Sequence, residues 1–272
     1  MTGKRGLTCT VVIPCRNEEG FVETVARRIP EMGAGTEIVF VDDGSTDGTA
    51  GAIRRAIASF PERRIRCVEG PARGKAAAVQ AGFAVGTGDV FIVHDADLTV
   101  LPEDLPRFHE AVARRPGSMA IGTRLVENRE RGAMPFANLL GNMFFAGLVS
   151  VVTGHRITDT LCGTKACCAS DYRRIEGVRP RLEGIDRWGD FDWIFCSAHL
   201  GLGIVEIPVR YHARRWGKTK MEHRLRETMR FLCLIWLAIR RLRLRRPWRP
   251  RLDRPGVSRR WAPQPRKTDV LR

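Results

Sequence analysis

The stretch Asp89–Leu98, with the sequence DVFIVHDADL, sets a short apolar run directly before two carboxylates. The β-branched and aromatic residues of Val90–His94 follow a glycine-containing turn at 86–88 and predict a buried β-strand. In open α/β sheets, ligands bind at the carboxyl ends of the strands, and residues i and i+2 of an extended chain point to the same face. Asp95 and Asp97 are therefore candidates to hold one Mg²⁺ or Mn²⁺ against substrate phosphates. A solvated turn would give the same Asp-x-Asp pattern, so other parts of the chain must decide between the two.

The charge of the chain is uneven along its length. Its 272 residues are 43% hydrophobic, which is enough for a sizeable core, and carry a formal net charge of +16. Residues 224–272 hold 16 Lys and Arg against 3 Asp and Glu, a net charge of +13, which leaves +3 for the rest. A nearly neutral body with a basic end predicts an anionic partner for that end, either a membrane surface or a nucleic acid.

Cysteine usage and hydropathy indicate a cytoplasmic protein. The 8 cysteines include no CxxC pair, and several lie in apolar runs, where a free thiol behaves as a small hydrophobic group. The apolar stretch Leu7–Pro14 is too short for a signal peptide. The longest apolar runs, at 139–152 and 231–239, are shorter than the ~20 residues that span a bilayer.

Strand and helix patterns alternate along the chain, which predicts an α/β fold with a mostly parallel central sheet flanked by helices. The predicted strands cover 8–13, 37–41, 65–68, 90–94, 119–122 and 204–209. The predicted helices cover 21–29, 49–59, 76–84, 102–114, 136–152, 191–200 and 223–244. Pro14 is expected to stop the first strand. The second strand ends in Asp42 and Asp43, so two aspartate pairs are expected along one edge of the sheet, an arrangement that suits a nucleotide and a metal.

Two common nucleotide motifs are absent from the sequence. The segment Gly70–Ala76, GPARGKA, has three residues between its glycines where a P-loop has four, and no Ser or Thr follows its lysine. No GxGxxG follows the first strand, which argues against a dinucleotide fold of that type. Carboxylates and a metal remain as the means of holding a nucleotide.

Five motifs stand in sequence along the first half of the chain: PCRNEEG (14–20), VDDGSTDGT (41–49), RGKAAAVQAG (73–82), HDADL (94–98) and IGTR (121–124). Their order is that of family 2 glycosyltransferases of the GT-A fold, and the chain resembles that family. Three later segments resemble the polyprenyl-phosphate branch, which includes dolichyl-phosphate mannose synthases. They are ITDTLCGTKA (157–166), GDFDWIF (189–195) and GIVEIPVRYHARRWGKTKM (203–221). The resemblance covers about residues 8–222.

The resemblance implies a role for particular residues. The base and ribose of the nucleotide sugar would be bound by Pro14, Asn17, Glu18, Asp42 and Asp43, with Lys75 beside that pocket. Asp95 and Asp97 would hold the metal on the diphosphate, Arg124 would face the acceptor, and Arg214 and Lys220 would be mobile-loop cations that meet the β-phosphate. Two positions depart from the family pattern. Arg16 stands where an aromatic residue is common, and Lys218 stands where an acidic residue is common.

Asp190 and Asp192 have two possible roles. Either could be a general base, because a sugar hydroxyl acceptor must lose a proton in the transition state. A phosphate acceptor is already anionic near neutral pH and needs no such base. Alternatively, either aspartate could cap the helix that follows and favour its dipole.

The predicted function is transfer of a hexose from a UDP- or GDP-sugar to a polyprenyl phosphate, with inversion at the anomeric carbon. Direct attack by the acceptor gives inversion, and the sequence offers no obvious nucleophile for a double displacement. One alternative is a soluble glycosyltransferase acting on a hydroxyl of a small molecule. Another is a nucleic-acid-binding protein with a degenerate transferase domain, which the intact DxD and GDFD motifs disfavour.

Three regions are expected. Residues 1–222 form the transferase domain, residues 223–246 a basic amphipathic helix, and residues 247–272 a basic disordered tail. An apolar stripe at helical spacing, including Met229, Trp236 and Leu242, with arginines after it, is the pattern of an anchor in the surface of an anionic membrane. The enzyme would then be peripheral on the cytoplasmic face of a membrane. Packing of the stripe on the protein's own core is the competing interpretation.

Overall fold

A computed structural model describes residues 6–125, 136–182, 186, 188–213 and 224–244. These residues form a seven-stranded sheet with helices on both faces. The strands are β1 Cys9–Cys15, β2 Thr36–Asp42, β3 Arg64–Glu69, β4 Val90–Val93, β5 Ser118–Thr123, β6 Lys165–Cys168 and β7 Gly203–Pro208. The helices are α1 Glu19–Arg28, α2 Thr49–Ser59, α3 Lys75–Val85, α4 Leu105–Arg114, α5 Phe136–Thr153, α6 Ala169–Val178, α7 Asp190–His199 and α8 Arg224–Arg241, with 3-10 turns at Pro102–Asp104 and Arg179–Leu182.

The strand order is β3-β2-β1-β4-β6-β5-β7, and all neighbours are parallel except at β6, which runs antiparallel to both β4 and β5. The predicted mostly parallel α/β sheet is confirmed. From β1 the chain first builds outward to β3 and then crosses back to place β4 on the other side of β1. A crevice opens at the carboxyl ends of β1 and β4, where such a reversal occurs, and it is the place where open α/β sheets bind ligands.

The apolar side chains of the sheet are divided between two layers of core. Along β1, Val12 packs into the layer with α3, α5, α6, α7 and α8, whereas Val11 and Ile13 pack into the layer with α1, α2 and α4. This alternation follows from the two-residue period of a strand. Because both faces are covered there, the central strands β1 and β4 are mostly apolar and buried along their length.

Two departures from the predicted elements have a clear physical reason. β1 continues through Pro14 to Cys15, because Pro14 still pairs in register with Val41 and the Cys15 carbonyl accepts a hydrogen bond from the Asp43 N–H at 2.8 Å. The pairing of β1 with β2 thus continues past Pro14, although proline has no N–H to donate. β6 and α6 are absent from the prediction, since the four residues of β6, KACC, begin with a lysine and show no clear strand alternation.

α8 presents different side chains to the core and to the outside. Leu234 and Ala238 are buried in the core layer, and so is Leu242, a member of the predicted apolar stripe. Met229 and Trp236 are 59% and 53% exposed. The helix therefore packs on the protein with one face and leaves a second apolar face uncovered. In the described part of the chain, no helix combines the length and the apolar character that crossing a bilayer requires.

Candidate active site

The two aspartates of the DxD motif lie in the turn that follows β4. The expectation that strand alternation points them to one face is wrong, because β4 ends at Val93 and the chain turns at Ala96 and Asp97. Asp97 Oδ1 accepts hydrogen bonds from the N–H and the hydroxyl of Thr99, at 3.1 and 2.8 Å. The position of the motif at the carboxyl edge of the sheet is nevertheless the predicted one.

Lys75 lies directly against the first of these aspartates. Its Nζ is 2.6 Å from Asp95 Oδ1. Lys75 is the first residue of α3, and the preceding Gly74, with φ of +99°, donates its N–H to Asp43 Oδ2 at 2.8 Å. The start of α3 therefore joins an aspartate from the end of β2 to an aspartate from the end of β4. This is how the structure brings the two predicted aspartate pairs together.

Lys165 pairs with Asp190 on the other side of the cluster. Its Nζ lies 2.5 Å from Asp190 Oδ1 and 2.5 Å from the carbonyl oxygen of Cys162, and its side chain is 2% exposed. Lys165 belongs to the CGTK segment (162–165), whose sequence suits either an acceptor loop or a structural turn. The burial of Lys165 is explained by this pairing, since buried lysines are rare unless paired.

The charges of these groups act on one another. Burial lowers the pKa of Lys75, but the charges of Asp190, Asp95 and Asp97 outweigh it and raise the pKa above its ordinary value. Burial raises the pKa of Asp95, but Lys75 outweighs it and holds that pKa below its usual range. Both groups are therefore charged at neutral pH. Three carboxylates and two ammonium groups, including Lys165, form one cluster at this edge of the sheet.

The loop before β6 fits closely against the Lys75–Asp95 pair. A Cβ atom at Gly163 would overlap both the Asp95 carboxylate and the Lys75 ammonium group. Only glycine lets the backbone approach so near, which explains why the CGT segment carries a glycine at this position. Gly163 also limits access to Asp95 Oδ2.

Asp43 has an oxygen whose hydrogen-bonding capacity is unused within the described residues. The residue is 3% exposed; its Oδ2 accepts from Gly74, whereas its Oδ1 is buried with no partner there. A buried acceptor without a donor is costly and points to a donor supplied by a ligand. The N–H of a nucleotide base would satisfy it. Neighbouring Asp42 uses Oδ1 to accept from the Ser45 N–H at 3.0 Å.

Asn17 and Glu18 join the loops that follow β1 and β2. Asn17, with φ of +56°, donates its N–H to Ser45 Oγ at 3.0 Å and accepts from the Thr46 N–H at 2.7 Å through Oδ1. The Glu18 N–H donates to Thr49 Oγ1 at 2.9 Å. These contacts shape one wall of the predicted nucleotide pocket, next to Pro14 at the end of β1.

Arg124 is held by an aspartate from a distant segment. Its Nε and Nη2 lie 2.6 and 2.8 Å from the two carboxylate oxygens of Asp159, which also accepts from Asn142 Nδ2 at 2.8 Å. Burial raises the pKa of Asp159, but Arg124 outweighs it and keeps the carboxylate ionised. The guanidinium carbon lies 5.1 Å from the Tyr211 ring centroid. Arg124 is thus fixed in orientation by Asp159, a residue to which the sequence analysis gives no role.

The three aspartates around the start of α7 have different environments. Asp186 Oδ2 accepts from the N–H groups of Phe191 and Asp192 at 2.7 and 3.1 Å, so the capping role considered for Asp190 and Asp192 belongs to Asp186. Asp192 is 1% exposed and lies 3.8 Å from Arg179 Nε. Burial, and then the charge of Asp186, raise the pKa of Asp192 to about 8.

Arg214 and Lys220 lie outside the described residues. Within the described ranges, no group of three or more His, Cys, Asp or Glu side chains could hold a metal by itself. The carboxylates of Asp95 and Asp97 nevertheless suit Mg²⁺, which proteins commonly bind through one or two carboxylates plus substrate phosphates. The donor set fits a cation whose remaining ligands come from a diphosphate.

Comparison with known proteins was made at the levels of family, sequence and structure. Residues 10–174 match the model of the family described as glycosyl transferase family 2. The chain is 29% identical over 215 residues to an undecaprenyl-phosphate 4-deoxy-4-formamido-L-arabinose transferase of Edwardsiella ictaluri, covering 78% of the chain and 62% of the relative. It is 36% identical over 217 residues to a dolichol-phosphate mannosyltransferase of Pyrococcus furiosus, covering 78% and 59%. The chain thus spans about three fifths of the length of these two relatives.

A third relative is covered more completely. The polyprenol monophosphomannose synthase of Mycolicibacterium smegmatis is 29% identical over 227 residues, covering 80% of the chain and 83% of the relative. Among solved structures, glucosyl-3-phosphoglycerate synthase from Mycobacterium tuberculosis, crystallised with Mn²⁺ and UDP, matches with a TM-score of 0.57 at 20% identity, covering 88% of this chain and 81% of that one. That structural match shows a shared fold.

Proposed function

Because the chain belongs to glycosyltransferase family 2, we propose that it moves a hexose from UDP- or GDP-hexose to a polyprenyl phosphate at a membrane surface, with inversion at the anomeric carbon. One observation carries the proposal: Lys75 pairs at 2.6 Å with Asp95 of the DxD motif at the carboxyl edge of the sheet, where the buried Asp43 has an acceptor oxygen with no partner within the described residues. The curated relatives, whose names describe transfer to undecaprenyl, dolichol or polyprenol phosphates, support the acceptor class.

The site residues suit a nucleotide diphosphate donor. Asp43 would accept a hydrogen bond from the base, with Asn17 and Glu18 forming the adjoining wall. Asp95 and Asp97 would hold Mg²⁺ or Mn²⁺, which when bound neutralises the charge that develops on the departing nucleoside diphosphate. The amino end of α3 offers N–H groups and a dipole that favour the same anion.

The environments of Asp190 and Asp192 support a phosphate acceptor. A hydroxyl acceptor needs a general base in contact with its proton. Asp190 is already paired with Lys165 at 2.5 Å, and Asp192 is almost fully buried beside Arg179. A phosphate acceptor needs no base, because its second pKa is about 6 and it is largely ionised at neutral pH.

Two helices support action at a membrane. α5 contains 18 residues without a charged side chain, and its outward residues Leu140, Met143, Phe144 and Val151 are each more than half exposed. α5 packs against α8 through Phe145 and Phe231, whose ring centroids are 5.5 Å apart. The uncovered apolar faces of both helices, with the net charge of +13 over residues 224–272, suit an anionic bilayer.

The test has two stages. First, UDP, GDP and their hexoses are screened with Mn²⁺ for an increase in melting temperature, because a ligand that binds the folded state stabilises it. The stabilising sugar nucleotide is then supplied in radiolabelled form with a polyprenyl phosphate or with the matching unphosphorylated polyprenol. We expect labelled lipid only with the phosphate.

Each outcome bears on a different part of the proposal. Transfer to the unphosphorylated polyprenol, or to a small hydroxyl compound in preference to the lipid phosphate, would overturn the acceptor assignment. Stabilisation by no nucleotide at all, in a protein shown to be folded by circular dichroism, would overturn the transferase assignment itself.

A further inference from the structure

We propose that Lys75 occupies the place of the divalent cation in the metal-free enzyme, where it neutralises Asp95. When the metal binds, the Lys75 ammonium group moves toward the donor diphosphate. The inference rests on the proposed function, since it assumes that Asp95 and Asp97 receive a metal. Lys75 would then pair with Asp95 in the metal-free enzyme and with the diphosphate in the metal-bound enzyme.

The first step of the argument is access to Asp95. Its Oδ1 lies 2.6 Å from Lys75 Nζ, and its Oδ2 is so close to Gly163 that a Cβ there would overlap it. Both carboxylate oxygens therefore have a close neighbour. The Asp95 side chain is 34% exposed, so a cation can approach it from solvent. A cation that engages Oδ1 must take the place of the Lys75 ammonium group, because the two cannot occupy the same position.

The second step is charge. Asp95, Asp97 and Asp190 supply three negative charges, and Lys75 and Lys165 supply two positive ones. Lys165 Nζ already pairs with Asp190 Oδ1 at 2.5 Å and also contacts the carbonyl oxygen of Cys162. Lys75 is thus the ammonium group that balances Asp95. A divalent cation bound about 2 Å from that carboxylate would lie within a few ångströms of Nζ and repel it.

The third step is the alternative partner. Lys75 is the first residue of α3, where the helix dipole is unfavourable to a cation and favourable to an anion. A lysine at this position therefore needs an anionic partner, which Asp95 supplies in the metal-free state. A diphosphate at the start of α3 would supply that anion, and the displaced ammonium group would be drawn to it.

The inference predicts opposite effects of one substitution on two ligands. Without nucleotide, Lys75→Gln removes the competing cation, so Mn²⁺ should bind about tenfold more tightly. With Mn²⁺ at saturation, the same variant lacks a partner for the diphosphate, so the nucleoside diphosphate should bind about tenfold more weakly. Both affinities are measured by isothermal titration calorimetry.

Two variants serve as controls. Lys75→Arg keeps the positive charge and should leave Mn²⁺ affinity near that of the unmodified protein. Arg73→Gln removes an exposed cation two residues away and should change neither affinity by more than about twofold, because an exposed charge is screened by solvent. Unchanged or weaker Mn²⁺ binding by folded Lys75→Gln would overturn the inference.

A second measurement uses the unmodified protein and needs no folded variant. Lysines are acetylated with limiting acetic anhydride and quantified by mass spectrometry, with and without Mn²⁺. Displacement from Asp95 should raise acetylation of Lys75 several-fold on adding Mn²⁺, while Lys165 stays protected. Equal acetylation of Lys75, with Mn²⁺ binding verified, would overturn the inference. Failure of the proposed function would appear separately, as absence of sugar transfer, and leave this comparison intact.

Discussion

The carboxyl group of Asp192 lies in the interior between Arg179 and Asp186, and its pKa of about 8 makes it neutral over most of the physiological range. An unfolded aspartate titrates near 3.9. At pH values between these two pKa values, Asp192 holds a proton in the folded protein and has lost it in the unfolded chain. The free energy of unfolding therefore falls as the pH rises from about 4 to about 8, and Asp192 contributes no further change above that range.

We predict that Asp192→Asn removes this loss of stability, because the amide keeps the shape and cannot ionise. Compared with the unmodified protein, the variant should gain at least about 2 °C in melting temperature between pH 5 and pH 8, the shift that about 1 kcal/mol produces in a domain of this size. The measurement is calorimetry in buffers of matched ionic strength. A difference in melting temperature that is constant across this range would show that Asp192 does not titrate there.

The metal assignment is tested at Asp97. Asp97→Asn retains an oxygen that can accept from Thr99, so the turn should survive, while the negative charge needed by the cation is lost. We expect transfer to fall by on the order of 10²-fold or more, and EDTA to abolish it in the unmodified enzyme.

Asp89→Asn is the matched control, because Asp89 precedes the opposite end of β4 and accepts from Thr8 there. It should retain nearly full activity. Undiminished transfer by folded Asp97→Asn in the presence of chelator would disprove the DxD assignment.

At the level of elements, α5 and α8 present the largest uncovered apolar side chains of the described structure. Met229 and Trp236 lie on the outward face of α8, and the Arg240 guanidinium carbon is 5.2 Å from the Trp236 ring centroid. An aromatic ring with a cation beside it suits the boundary between lipid tails and headgroups. The inward face of the same helix is part of the core, so deletion of the helix would expose that core.

Point substitutions therefore test membrane binding better than truncation. We predict that full-length protein floats with anionic vesicles, less so at high salt. The double substitution Met229→Ser and Trp236→Ser should weaken binding at least about tenfold, since burial of each such side chain contributes about 1.5–3 kcal/mol.

Arg54→Ser and Arg55→Ser on α2 are the control, since they remove two charges from a helix remote in sequence from α5 and α8. Equal losses in the two double variants would indicate attraction by net charge alone. No flotation by the unmodified protein, at either salt concentration, would refute binding to anionic membranes.

The helix α2 was predictable from its sequence, and the strand β6 was not. The helix at residues 49–59 was predicted with its observed bounds, because glycine, serine and threonine mark its start and its apolar spacing is regular. β6 has four residues and a buried lysine, so neither length nor alternation identifies it. Its antiparallel direction depends on where the chain returns after α5, which no local pattern encodes.

At the scale of the whole molecule, it was predictable which aspartates lie at the carboxyl edge of the sheet. It was not predictable which charged side chains form ion pairs around the site. Asp43, Asp95 and Asp97 were placed correctly at the carboxyl edge because strand ends meet there in any α/β sheet. The pairs Arg124–Asp159 and Lys165–Asp190 join residues 35 and 25 positions apart. Such contacts arise from tertiary packing, and a single sequence carries no periodic signal for them.

The place of β6 between β4 and β5 also has a consequence for synthesis on the ribosome. The strands β1 to β4 are consecutive and parallel, so they can pair as soon as residue 93 has left the exit tunnel. The outer edge of β4 then stays open until Lys165 appears, 72 residues after Val93. At typical elongation rates of 5–20 residues per second, that interval is roughly 4–15 s. Throughout it the nascent chain carries an unpaired apolar strand edge, which makes this stage the natural point for a chaperone to engage.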